Sequence, residues 1–522
     1  MQAMLRLAEP LAARGDFPGL RQLMAGIQVE AERKAAGLIE TSYAESLAGR
    51  YRNARTAALL ALALAPRSPA LVGQLAARLR TSNDGALLLQ LIDAVGPPRN
   101  MSIPLLLALA AQLSHLNLQE RALELLNEAR RGDPDFPPAL LARGQVLTYL
   151  GRLPEARLEL ERCVQLAPEI ALAHWFLAHI GRATPDHNHV ARLRNRLRSP
   201  KLPARETAAL AFALHQELDG LQQYEDAWSA LQRACLAKRS MLSYDRADSH
   251  ELVEALIALP AGWPAATSNS TERTPIFIVG MHRSGTTLLE QLLDASPQVS
   301  GIGELYDFTS AMRYATNHHC RGVIDRTIVA RAGAVDFAAV GRRYLDGVAW
   351  RLGAEPFFTD KLPSNFLNIG FICRSLPQAR ILHMVRDPVA TCFSNLREMF
   401  SDANPYSYDQ LELAEFFAGY QRLMAHWHRV CPGRILDVSY AALTGDTEAV
   451  VREVAAFCGL NYVPAMCDPR NSRRAVATAS AVQVREGVTQ HWVSKWVPYE
   501  SHLQPLILTL QRLGALTDHA PD

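Results

Sequence analysis

The chain has 522 residues, of which 49% are hydrophobic and 20% charged, and its formal net charge is +2. This describes a soluble globular protein of about two to four domains, with no global charge to draw it to nucleic acid or to an anionic membrane surface. Its eight cysteines include no C-x-x-C pair, which speaks for buried thiols in a reducing compartment and against a disulfide framework or a zinc site. The opening stretch MQAMLRLAEPLAARGDF lacks the apolar core of a signal peptide, and no uncharged apolar run is long enough to span a bilayer. A cytoplasmic protein with no membrane span is therefore expected.

Residues 1–255 are rich in Ala, Leu, Arg and Glu with helical periodicity. Writing 105–130 above 139–164 needs no gap: Leu107 falls on Leu141, Ala108 on Ala142, Leu113 on Leu147, Leu116 on Leu150, Ala122 on Ala156 and Leu126 on Leu160. The offset is 34 residues, and the phase persists, because Gly49-Arg50-Tyr51 and Ala54 stand three periods before Gly151-Arg152-Leu153 and Ala156. Ala65-Pro66 precedes Ala167-Pro168 by the same interval, and a more divergent unit carries Gly220, Tyr224, Ala227 and Trp228. Gly at a mid-turn, a small Ala in the second helix and Pro after it resemble the tetratricopeptide repeat. That resemblance implies stacked helix pairs forming a solenoid with a concave ligand-binding face; a generic helical bundle is the plainer alternative. The spans 70–100 and 170–203 fit the period poorly.

Residues 256–274 mix Pro, Gly, Ser and Thr and read as a linker. From 275 to 518, apolar strands alternate with helices. Strands are predicted at 275–279, 356–359, 379–385 and 434–438, and helices at 286–293, 388–399, 411–430 and 447–458. Asp387-Pro388 is a helix start with a side-chain acceptor followed by Pro at the first helical position, and Gly459 is a helix stop. The pattern predicts an α/β domain with a mainly parallel sheet.

The segment TPIFIVGMHRSGTTLLEQLL, 274–293, is the most informative in the chain. A buried strand ends at Gly280, and a short loop leads into a helix whose first turn holds Thr286 and Thr287. Backbone N–H groups and the positive helix terminus then converge on one spot and favour an anion. Gly280 to Gly285 has the G-x-x-x-x-G spacing of a P-loop, but Thr286 stands where a nucleotide triphosphatase needs Lys, and the nearby cation is Arg283. A P-loop kinase is thereby disfavoured. Sites in such sheets form at the C-terminal strand ends. Asp360 and Lys361, Arg386 and Asp387, and Ser439 and Tyr440 fall there, with Ser394 two turns into the helix after Asp387 and Glu304 in the Gly-flanked turn GIGEL.

These residues carry a resemblance over roughly 274–515. The motifs HRSGTTLLEQLLDASP, GIGEL, FTDKLPSN, ARILHMVRDPVATCFSN, VSYAAL and TASAVQVREGVTQHWVSKW resemble the sulfotransferases that use 3′-phosphoadenosine 5′-phosphosulfate. Within these they are most similar to the protein-tyrosine sulfotransferases and to bacterial proteins that join tetratricopeptide repeats to such a domain. The resemblance implies a P-loop-like α/β fold with the 5′-phosphosulfate on Arg283, Ser284, Gly285, Thr286 and Thr287. It puts the 3′-phosphate on Arg386 and Ser394; Tyr440, after the last strand, is a further cofactor-binding candidate, although it reads more readily as core. It gives Glu304 the role of base and Lys361 and Ser480 the stabilisation of charge during transfer; Arg283 is a further catalytic candidate, and no metal is expected because Lys and Arg supply the positive charge. A carboxylic acid of ordinary pKa is a weak base, so partial burial of Glu304 is expected. His282 is a rival base, although its place inside the loop suggests that it shapes the loop.

The implied acceptor is tyrosine in a protein or peptide, held by the repeats. Glu304 is followed by Leu305-Tyr306-Asp307-Phe308, without the Arg residues that would read an acidic peptide. A glycan, lipid or small-molecule acceptor therefore stays open, as does a catalytically inactive repeat scaffold. His318-His319 and the pair Trp492 and Trp496 receive no role, and the oligomeric state is unassigned.

Overall fold

The protein is described by a computed structural model covering residues 2–24, 30–260, 273–472, 474–478, 482–488 and 495–516. It has a helical N-terminal region of about 250 residues followed by a segment built on a five-stranded parallel sheet. By contacts the chain divides into two compact units that do not follow chain order: residues 1–134 with 306–352, and 135–305 with 353–522.

In the first unit, antiparallel helix pairs are joined by turns whose central residue is left-handed. Gly49 has φ +75°, Asn83 +60° and Asn117 +64°, and the series continues in the second unit at Gly151 with +76°. The four positions are spaced by the 34-residue period. Gly and Asn share the turn because both tolerate positive φ, Gly for lack of a Cβ and Asn through local hydrogen bonding. The span 70–100 is therefore in phase, with helices Pro69–Thr81 and Gly85–Val95 on either side of Asn83. The expected irregularity there came from Asn standing where Gly was sought. The span 170–203 does break the pattern, since helices Ala171–Ile180 and Val190–Leu197 are separated by a small bridge between Thr184 and His187.

Residues 306–352 pack on the turn ends of these helix pairs. The Tyr51 hydroxyl lies 2.8 Å from Ser310 Oγ, His319 donates its N–H to Gly49 O at 3.0 Å, and Arg351 donates to Leu116 O at 3.0 Å. His318 binds Asp325 at 2.7 Å, and His319 stacks on Tyr51.

In the second unit the strands are β1 (Thr274–Gly280), β2 (Val299–Gly301), β3 (Phe357–Asp360), β4 (Arg380–Val385) and β5 (Ile435–Ser439), in the order β2-β3-β1-β4-β5. All pairings are parallel, with Ile276 opposite Thr359 on one side and Arg380 on the other. Central β1 is buried on both faces, as its unbroken apolar run requires. Ile276 and Ile278 pack with Leu289, Leu292 and Val454 on one face. The order reverses around β1, so the C-terminal ends of β1 and β4 flank a crevice. Helix Pro388–Leu396 is three residues shorter than expected: Arg397 ends it and turns toward helix Ala204–Gly220, donating to Asp219 Oδ2 at 2.8 Å. Asp219 also accepts from the Tyr499 hydroxyl at 2.7 Å, so helices of the repeat region and of the sheet segment share one buried polar junction.

Candidate active site

The sharp turn after β1 needs unusual backbone angles, φ +149° at Gly280, +66° at Arg283 and +110° at Gly285. A Cβ on Gly285 would fall 2.5 Å from the Tyr440 ring, and one on Gly280 would fall 2.8 Å from Met384 O. The loop is thus held against β4 and against the helix that follows β5. The amide of Asn395 tightens it further by donating to His282 O at 2.7 Å, and Arg386 donates to Arg283 O at 2.9 Å.

Arg283 points into a cleft, where its Nε donates to Ser394 Oγ at 3.2 Å and its Nη2 to Gln483 Oε1 at 2.5 Å. Arg386 lies over the Tyr440 ring, 4.9 Å from its centroid, so Tyr440 is both a core residue and the platform of a site guanidinium. Burial lowers the pKa of both arginines from the ordinary value, yet they stay charged at neutral pH because they start so high. The same cleft is walled by His179 and Gln216 from the repeat region and by Arg397, Lys495 and Trp496. Ser284 is 1% exposed, and its Oγ has no hydrogen-bond partner among the described residues. A buried hydroxyl without a partner among the described residues, at a helix N-terminus and beside two half-buried guanidiniums, fits a dianionic phosphate or phosphosulfate group. Thr286 and Thr287 are buried in the first helical turn, and Thr287 Oγ1 stands 3.4 Å from Thr478 Oγ1.

At the end of β3, Lys361 is fully buried and donates to Glu304 Oε1 at 2.7 Å, and the Glu304 side chain is 34% exposed. The partial burial expected of Glu304 is present, and a buried ammonium orients its carboxylate. Glu290, in the helix after the anion loop, positions this pair. Its Oε1 accepts from Gly303 N–H and from Thr359 Oγ1, both at 2.9 Å, and its Oε2 meets Arg474 at 2.6 Å. Burial works against the Glu290 charge, but Arg474 and Lys361 hold its pKa below the usual carboxylate range. His282 is packed near this pair, with burial pushing its pKa down to about 4, so it is a neutral, loop-shaping imidazole at pH 7. Asp387 accepts from Ala390 N–H at 2.6 Å and is the helix cap.

Ser480 and Trp492 lie outside the described residues. Glu290, Asn395, Gln483, His179 and Gln216 were not singled out from sequence. Glu290 carried a signal, an acid among the buried leucines of TTLLEQLL; the others are brought in by long-range packing that no local pattern announces.

The sulfotransferase family matches residues 275–464. These residues form a sulfotransferase-family domain. An uncharacterized protein of Aquifex aeolicus (strain VF5) is 29% identical over 407 residues, which is 75% of this chain and 52% of that protein. The chain thus spans about half the length of that relative. Protein-tyrosine sulfotransferase 2 of Gallus gallus is 25% identical over 270 residues, 47% of this chain and 70% of that protein. Among solved structures, the sulfotransferase domain from the Synechococcus PCC 7002 olefin synthase aligns with a TM-score of 0.34 and 20% identity, over 49% of this chain and 99% of that domain. The family match at residues 275–464 covers the anion loop, Arg386, Ser394, Glu304 and Lys361, whereas His179, Gln216, Gln483, Lys495 and Trp496 of the cleft lie outside it.

Proposed function

We propose that this chain is a sulfotransferase that moves the sulfuryl group of 3′-phosphoadenosine 5′-phosphosulfate to an acceptor hydroxyl, with tyrosine of a protein or peptide as the acceptor. The observation that carries this reading is the buried Ser284 hydroxyl, without a partner among the described residues, in an anion loop flanked by Arg283 and Arg386. In this reading the 5′ end is held by Arg283, Ser284, Gly285, Thr286 and Thr287. The 3′-phosphate is held by Arg386 and Ser394, with Tyr440 fixing the Arg386 guanidinium from below. When bound, the nucleotide supplies an activated sulfuryl group on a phosphate leaving group.

Everything else falls to the protein. A phenol has a pKa of about 10, so removal of its proton benefits from a positioned base. Glu304 receives that proton on its carboxylate, held in place by Lys361 and by the Glu290 contact to Gly303. Lys361 and Arg283 face the negative charge that develops on the leaving side, a preorganised electrostatic contribution. Ser480 shares that task by resemblance. Residues 1–255 serve as the repeat region that presents the acceptor, 256–274 as the linker and 275–518 as the transferase domain. Among the described residues no helix is long and apolar enough to cross a membrane, and all eight cysteines are unpaired thiols, which suits the cytoplasm.

The deciding experiment is calorimetric titration of 3′-phosphoadenosine 5′-phosphate into the wild type and Arg386→Ala, followed by transfer of labelled sulfate to a tyrosine peptide. Saturable wild-type binding lost in the variant supports the reading, and absence of wild-type binding overturns it. Transfer to sugars or small phenols but not to the peptide would keep the chemistry and replace the acceptor.

A further inference from the structure

Away from the crevice, strand register and helix packing bring two imidazoles and a carboxylate together at the sheet edge. His383 on β4 lies opposite Asp437 on β5, the edge strand. His428 comes from the last turn of helix Gln410–Val430. Asp437 Oδ1 is 2.7 Å from His383 Nδ1 and 2.8 Å from His428 Nε2, and one ligand atom from each of the three residues lies within 4.8 Å of the others.

We propose that His383, His428 and Asp437 form a binding site for a divalent first-row transition cation such as Zn2+. Two imidazole nitrogens and one carboxylate are a donor set that zinc accepts, with the fourth position left to water. The site has an entry path, because Asp437 is 53% exposed and His428 36%, whereas His383 is 7% exposed and rigidly placed. It also has the outer contact that metal-bound histidines use. The second nitrogen of His383, Nε2, meets the Tyr420 hydroxyl, which fixes the ring and leaves Nδ1 to the metal. With two lone pairs, the Tyr420 oxygen can take a donor from Nε2. Cation binding displaces the hydrogens that now lie between Asp437 and the imidazole nitrogens: the Nδ1 hydrogen of His383 relocates to Nε2, and that of His428 relocates to Nδ1. The ion then clips β4, β5 and helix Gln410–Val430 together.

The test is titration of metal-stripped full-length protein with Co2+ alone, followed by Zn2+ competition. One equivalent of Co2+ should give saturable visible d–d bands that Zn2+ abolishes, and the bands should be missing in both His428→Ala and Asp437→Asn. Both side chains are partly exposed, so the metal-free variants should melt with the wild type, and Zn2+ should raise the melting temperature of the wild type only. Absence of saturable bands in the wild type, or their persistence in either variant, overturns the site. Binding of 3′-phosphoadenosine 5′-phosphate is read separately, so failure here leaves the sulfotransferase reading intact.

Discussion

Arg386 and Glu304 separate binding from chemistry. Arg386 is half-buried, and a charge-assisted contact to phosphate contributes about 1.5–3 kcal/mol. Arg386→Ala is therefore expected to weaken 3′-phosphoadenosine 5′-phosphate roughly 10- to 150-fold, read by calorimetry, while Glu304→Gln leaves that affinity nearly unchanged. Glu304→Gln should instead lower kcat roughly 10²- to 10⁴-fold, the usual range for losing a general base; a variant with full kcat removes Glu304 from the reaction. Glu290 tests positioning. Glu290→Gln breaks a buried ion pair with Arg474, so it should lower the melting temperature and reduce kcat more than it raises KM for the nucleotide. A fall in melting temperature with kcat unchanged would make Glu290 structural only.

The anion loop depends on Gly285 as an element depends on its turn. Ala at this position meets both a φ of +110° and a Tyr440 ring atom 2.5 Å away. The strain alone is of the order of 1–3 kcal/mol, and relief must come from moving the loop or Tyr440. Gly285→Ala should consequently lose product binding with only a modest fall in melting temperature; retained affinity would show that the loop adapts. The strands around this loop were legible in the sequence because buried parallel strands read as apolar runs, and each bound was placed within one or two residues. β2 was not, since Val299-Ser300-Gly301 is too short to form a run. Repeat turns were legible where Gly marks them, at Gly49 and Gly151, and hidden where Asn83 and Asn117 adopt the same angles. The anion loop, Arg386 and Lys361 were proposed from their places after strands, Ser394 from the helix that follows Arg386 and Glu304 from its Gly-flanked turn. His179 and Gln216 reach the cleft only through packing of distant segments, which carries no periodic signature.

Across the whole molecule, titration should shape stability from both sides. Burial pushes the pKa of His174 and His215 down to about 4 from 6.5. Their unfolded forms bind more protons between those values, so stability falls as pH drops from 6.5 to 4. His189, held by Glu161 and Glu217, is raised to about 9; its contribution is full below 6.5 and is lost as pH rises through 9. The melting temperature is thus expected to peak near pH 6.5. His215→Asn should flatten the acid limb and His189→Gln the alkaline one, and unchanged limbs would contradict the assignment. A chain beginning at residue 273 lacks His179, Gln216 and Asp219, leaving the Arg397 guanidinium without its carboxylate. It should melt earlier than the full chain and bind 3′-phosphoadenosine 5′-phosphate more weakly, and equal values would contradict this. The Asp219–Arg397 junction also bears on descent. A recombination event that replaced helix Ala204–Gly220 with a foreign repeat would set an unmatched side chain against Arg397, and selection would remove most such chimaeras. Asp219 and Arg397 should therefore change together between lineages, and the last repeats should be inherited with the transferase segment as one genetic block.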